Sequence, residues 1–224
     1  MQKSVKAVIK IEIETLLDNN GMLSPDKMGH LSMVCANLQN SGVQLLLVSS
    51  GAIVLGASKL KMNKLPEGIT AKQAVAAVGQ TELIIAYQNY FDDFNQVAAQ
   101  VLLTRDVIDK PLRNKNAKNT LNKLLARNII PVINENDSVS TNDIIINDNY
   151  PLALIVASLT DADAIIVNTD RGDRFKLILR DRSPIHEITL EELLELSDTL
   201  ENIKLKINND IDGFPEFYQY TGIN

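Results

Sequence analysis

The amino-acid sequence predicts an α/β domain, an open and mainly parallel sheet with helices on both faces. Three observations carry that prediction. Apolar, β-rich runs alternate along the chain with segments of helical period, the pattern of parallel strands joined by crossover helices. With 224 residues and 45% hydrophobic content, the chain can bury a substantial core within one domain. Small polar residues collect just after the apolar runs, where the carboxyl ends of the strands would lie.

The first strand is expected in "KAVIKIEI", from residue 6. Its second half alternates Lys10, Glu12 and Glu14 with Ile9, Ile11 and Ile13, which a solvated or edge strand would do equally well. Ser24, Pro25 and Asp26 then open a helix with an N-cap, a proline at the first position and an acid in the first turn, running to about Gln39. "VQLLLVS" is the second strand, and the long stretch "ITAKQAVAAVGQTELIIAYQNYF" is a helix with Gly79 inside it. "VAAQVLLT", "NIIPVIN" and "DAIIVNT" complete the strands, with helices at "NAKNTLNKLLAR", "YPLALIVASL" and "TLEELLELS". In the last of these, Thr189 and Glu192 have the spacing of a capping box. The stretch after about Asn202 loses helical period and gains Gly and Pro, as a loop, an edge hairpin or an unordered terminus would.

Composition excludes several function classes. The net charge is −6, and Lys and Arg do not cluster with interleaved aromatics, so the footprint of a nucleic-acid binder is absent. No apolar run approaches the ~20 residues that span a bilayer, and the amino terminus lacks the series of a secretory signal. Cys35 is the single cysteine, so one chain builds neither a disulfide framework nor a thiolate metal site; the expected compartment is the cytoplasm. His30 and His186 stand far apart and suggest packing or surface roles rather than a metal cluster or a catalytic base.

The polar residues fall into sets. Ser49, Ser50 and Gly51 follow "LLLV", Thr104 follows "QVLL", Asn134 to Asp137 follow "IIPVI", and Thr169 with Asp170 follow "AIIVN". In an open parallel sheet these ends share one rim, where ligands bind at the switch in strand order. Capping and turn chemistry accounts for any one set taken singly; four on one rim point to a polar small-molecule site. "SSGA" adds a hydroxyl pair and a glycine at a helix start, which lets backbone N–H groups approach an anion. P-loop, dinucleotide-binding and nucleophile-elbow patterns are missing.

"VSSGAIVLGASKL", "KQAVAAVGQTELI", "QVLLTRDVI", "NAKNTLNKLL", "IIPVINENDSVST", "NDN" and "NTD" resemble, in order and nearly in spacing, motifs of the amino acid kinase family in its glutamate-phosphorylating branch. The likeness covers roughly residues 5 to 175. It implies an amino acid kinase-like sandwich as a single domain over 1–224. About 1–160 would bind the amino acid and about 161–224 would form a shortened nucleotide side, with no appended carboxyl-terminal domain. The implied reaction moves the γ-phosphoryl group of ATP, with Mg, to the γ-carboxylate of L-glutamate, the first step toward proline. Homo-oligomerisation and feedback by proline are further implications. By motif, Ser50, Gly51, Asp137 and Asn149 match substrate-binding positions, and Thr169 and Asp170 match nucleotide contacts. Lys10 matches the lysine that neutralises the transferred phosphoryl group, and Asp148 an acid serving the site.

The chain departs from the family where K-x-G-x-S would follow from Lys10, because Glu12, Ile13 and Glu14 stand there. A carboxylate about 4 Å from a phosphate oxygen repels it by roughly 1 to 4 kcal/mol; Glu12 pairing with Lys10 is the alternative. Tyr150 replaces an acid of G-D-N-D, "RGDRF" replaces a D-G-L-Y-like turn, and "LKINNDIDGFPEFYQYTGIN" offers no counterpart to the glycine-rich G-T-G-G-M-x-T-K segment. A catalytically impaired relative that binds glutamate or proline, or regulates a pathway enzyme, is therefore the second expectation.

Overall fold

A computed structural model describes residues 5–140, 149–168, 174–179, 186–189, 192–193 and 195. Seven strands form one sheet in the order β3-β4-β2-β1-β5-β6-β7. They are β1 (Lys6–Ile11), β2 (Gln44–Ser49), β3 (Val97–Leu103), β4 (Ile129–Glu135), β5 (Ala164–Asn168), β6 (Arg174–Leu179) and β7 (His186–Thr189). The first five pair in parallel, and β6 and β7 extend the sheet antiparallel beyond β5. The five parallel strands lie where the apolar runs predicted them. The antiparallel pair was not foreseen, because residues 174–189 are broken by Arg, Asp and Pro and carry no sustained alternation.

The period of two in β1, β2, β4 and β5 divides the core. Ala7, Ile9, Ile11, Leu45, Leu47, Ile130, Val132 and Ile166 face one side, with Met28, Leu38, Leu83 and Phe91 of the helices α1 (Pro25–Asn40) and α3 (Ile69–Asp92). Val8, Leu46, Val48, Ile133 and Ile165 face the other, with α4 (Pro111–Leu125) and α5 (Tyr150–Thr160). Burial on both faces explains why these strands read as unbroken apolar runs. Pro131 is tolerated in an internal strand because the β2 pairing of β4 begins only at Val132, so its missing N–H costs no ladder bond there.

α1 starts as predicted, with Ser24 accepting from Lys27 N at 3.4 Å and Pro25 in its first turn. α4 starts at Pro111, five residues before the stretch that suggested it, since proline at the first helical position suits a start. The capping box is present: Thr189 N donates to Glu192 Oε2 at 2.7 Å and Glu192 N to Thr189 Oγ1 at 3.2 Å. The short α2 (Ala52–Lys59) crosses α3 at backbone contact, for a Cβ on Gly79 would lie 1.7 Å from the Ala52 carbonyl oxygen and one on Gly56 2.0 Å from that of Val75. Glycine at both positions lets α2 lie against α3 directly behind the Ser50–Gly51 turn. Among the described residues no helix is long and apolar enough to cross a membrane.

Candidate functional site

The carboxyl ends of β1, β2 and β4 lie side by side, and the crossover from β4 to β5 passes over β2 and β1. This places residues 10–13, 49–51 and 134–137 on one rim. Lys10 lies on the central strand and is 5% exposed, which removes the edge-strand reading of "KIEIE". Its ammonium pairs with Glu12 Oε1 and lies 6.0 Å from the centroid of the Tyr150 ring. Ser50 Oγ donates to the other Glu12 oxygen at 3.2 Å and accepts from Ile13 N at 3.1 Å. The alternation ends at Ile11, where the chain turns into a short 3-10 segment, Ile13–Leu16, anchored by burial of Ile13 and Leu16. Gly51 has φ +111°, and a Cβ there would lie 2.5 Å from Ile13 Cβ. Glycine is therefore required at this turn by backbone conformation and by the contact with Ile13 together.

A chain of buried amides runs between β2, β4 and α5. Asn149 Nδ2 donates to Ser49 O at 3.1 Å and to Asn134 Oδ1 at 2.9 Å. Asn134 Nδ2 donates to Gln80 Oε1 at 2.9 Å, and Asn134 Oδ1 also accepts from Glu135 N at 2.9 Å. Both amide hydrogens of Asn149 are thereby committed, so its Oδ1 is what it can offer a ligand, an acceptor suited to an ammonium. Tyr87 OH donates to Ser49 Oγ at 2.8 Å from the opposite face, and burial pushes the phenol up. The Gln80 Nε2 group is buried with no hydrogen-bond partner among the described residues. Sequence reasoning missed Gln80. Its signal was a polar side chain on the buried stripe of α3, between Ala76 and Leu83.

Beyond β4 the chain turns through 137–139, with Val139 N and Ser140 N both donating to Asn136 O. The turn therefore closes through the Asn136 carbonyl rather than the Asp137 side chain. Asp137 is half-buried, and that burial pushes its carboxyl up to about 6. Glu135 is buried as well, and burial raises its carboxyl; Ser140 and Arg105 offset this in part, while Asp137 adds to it. Neither Glu135 oxygen has a partner in hydrogen-bond geometry among the described residues, so Ser140 and Arg105 approach without closing a bond. Thr104 has the plainer role: its hydroxyl binds Asp106, which Lys110 and Arg113 also hold. These contacts keep the Asp106 carboxyl low, at about 2.

Lys10, Ser50, Gly51 and Asn149 thus meet at the ends of β1 and β2, and Asp137 lies on the same rim beyond β4. Asp148, Thr169 and Asp170 lie outside the described residues. Among the described residues no three of His, Cys, Asp and Glu form a group that could hold a metal ion. On the side where the resemblance would place a phosphate cradle, the Glu12 carboxylate lies on Lys10 and Ile13 lies against Gly51. Grooves lined by Val43, Gln44, Leu125 and Ile129 lie at the opposite ends of the strands, away from these polar groups.

Sequence comparison matches residues 7–208 to the family described as the amino acid kinase family. The chain is 43% identical over 174 residues to a glutamate 5-kinase of Listeria monocytogenes serotype 4b, covering 76% of this chain and 63% of the relative. A glutamate 5-kinase of Lactococcus lactis subsp. cremoris is 38% identical over 210 residues, 87% of this chain and 76% of the relative. The chain therefore spans about 63% of the length of the Listeria relative. A solved UMP kinase from Ureaplasma parvum aligns with a TM-score of 0.48 at 16% identity over 73% of this chain and 68% of that one, too distant a likeness to carry an argument. On the family match over most of its length and on relatives at 38% and 43% identity, the chain belongs to the amino acid kinase family.

Proposed function

We propose that the chain binds L-glutamate on this rim and transfers the γ-phosphoryl group of ATP to its γ-carboxylate, as the names of its relatives suggest. The observation that carries the amino-acid half of this reading is Asp137. A half-buried carboxylate raised to about 6, with no hydrogen bond or ion pair among the described residues, offers a strong partner to a substrate ammonium. Asn149 Oδ1 adds a second acceptor, and the buried amides behind it hold that group in place. A carboxylate substrate is already a nucleophile. Its oxygen attacks the γ-phosphorus as the bond to the ADP oxygen breaks, so the site needs positioning and charge neutralisation rather than a general base. Two histidines, neither of them near the rim strands' ends in sequence, are consistent with such chemistry.

The test is ADP release from ATP and magnesium with and without L-glutamate, with Asp137→Ala protein as the control for contaminating kinases. Glutamate-dependent release that the variant loses is the expected result. A folded protein that releases no ADP in response to glutamate would overturn the transfer. One observation favours a second reading, in which the chain binds a pathway amino acid without turning it over: Glu12 is already seated on Lys10. Calorimetric binding of L-glutamate or proline without ADP release is the outcome that selects it.

A further inference from the structure

Lys10 and Ser50 come from adjacent parallel strands and reach the two oxygens of a single carboxylate. Lys10 holds Glu12 Oε1, and Ser50 Oγ donates to Glu12 Oε2. A nearly buried ammonium and a hydroxyl donor 40 residues apart in sequence, converging on one anion, form a receptor for an oxyanion. That receptor is occupied by the protein's own side chain. The carboxylate is also the outer wall of the site, since the Lys10 side chain is 6% exposed and that of Glu12 31%. Ile13 and Leu16 are buried in the core directly behind it, so the backbone that carries Glu12 is fixed while its side chain lies at the boundary with solvent.

We infer that Glu12 is a resident counter-anion that gates the Lys10–Ser50 subsite, and that a carboxylate or phosphate oxyanion enters only by displacing it. The gate acts by competition. An incoming anion loses the Lys10 attraction for as long as Glu12 remains, and it meets the repulsion of a like charge at close range. Rotation of Glu12 into solvent withdraws its carboxylate from Lys10 and from the incoming anion without moving the backbone of residues 13–16. This inference deepens the proposed function, because the gated subsite adjoins the proposed glutamate contacts. It stands on different residues from the Asp137 end.

The experiment is calorimetric titration of the full chain with inorganic phosphate, with L-glutamate titrated separately. Glu12→Gln should bind phosphate at least about tenfold more tightly than the wild type. The gain should vanish in the double variant Glu12→Gln/Lys10→Met. Glu12→Asp, one methylene shorter and still charged, should fall between wild type and Glu12→Gln, and it serves if the amide variant does not fold. Equal phosphate affinity in the wild type and in every folded Glu12 variant would overturn the gate, as would a gain that persists without Lys10. The two proposals fail separately. Wild-type protein that binds no L-glutamate sinks the glutamate site while a phosphate gain in Glu12→Gln still supports the gate; glutamate binding with no phosphate gain does the reverse.

Discussion

Asp137 concentrates the electrostatics of the rim in one side chain. Burial raises its carboxyl to about 6, against about 3.9 in an unfolded chain. Folding therefore favours the protonated form. Stability from this group is fully present below about 3.9, declines as pH rises, and has been lost once pH passes about 6. Asp137→Asn should consequently raise the melting temperature at pH 7.5 without ligand and leave it nearly unchanged at pH 3.5. An ammonium ligand reverses the preference by pairing with the ionised form. L-glutamate affinity should thus weaken as pH falls through about 6, and the asparagine variant should bind roughly 30-fold more weakly or worse at pH 7.5. Melting curves at the two pH values and a calorimetric pH series check both statements. A pH-independent affinity between 7.5 and 5 would remove Asp137 from the ammonium site.

The α2–α3 crossing is the element on which the Ser50–Gly51 turn rests. A Cβ on Gly79 would stand 1.7 Å from the Ala52 oxygen and 2.4 Å from Gly56 N, and backbone atoms cannot yield as a flexible side chain would. Ala52 is the first residue of α2, so a shift there carries into Gly51 and Ser50. Gly79→Ala should cost at least about 1–3 kcal/mol through forced separation of the helices, outweighing the better helix propensity of alanine, about 1 kcal/mol. Urea denaturation checks the sign. A midpoint that rises would show that the helices part without strain. The buried face of α3 gives Val75, Ala76, Leu83, Tyr87 and Phe91 to the core, whereas Ile69 and Ile85 remain exposed at 42% and 49%.

Across the molecule, protection should follow the sheet. β1 is hydrogen-bonded on both sides and lies between two helical layers, while β3 is an edge strand with Val97 half-exposed. Amide exchange should be slowest in β1 and β2 and faster in β3 and β7; equal protection across the sheet would contradict this core. The five parallel strands and the helices α1, α3 and α5 were legible in the chain alone: burial on both faces writes the apolar runs of β1, β2, β4 and β5, the edge strand β3 still carries a β-rich run, and the cap of α1 writes Ser-Pro-Asp at known spacing. The polar rim was legible for a related reason: parallel strands share one direction, so the residues after each apolar run collect at one end. The strand order, the antiparallel pair β6 and β7, and the hydrogen bonds that join Asn149 to Asn134 and Asn134 to Gln80 required the fold, since they depend on which elements become neighbours. Lys10 shows the division most clearly. Its alternation with Glu12 and Glu14 suits an exposed edge as well as a site, and only its place on the central strand, with Glu12 two residues on and Ser50 brought alongside by parallel pairing, decided that it is a buried cation paired with a carboxylate.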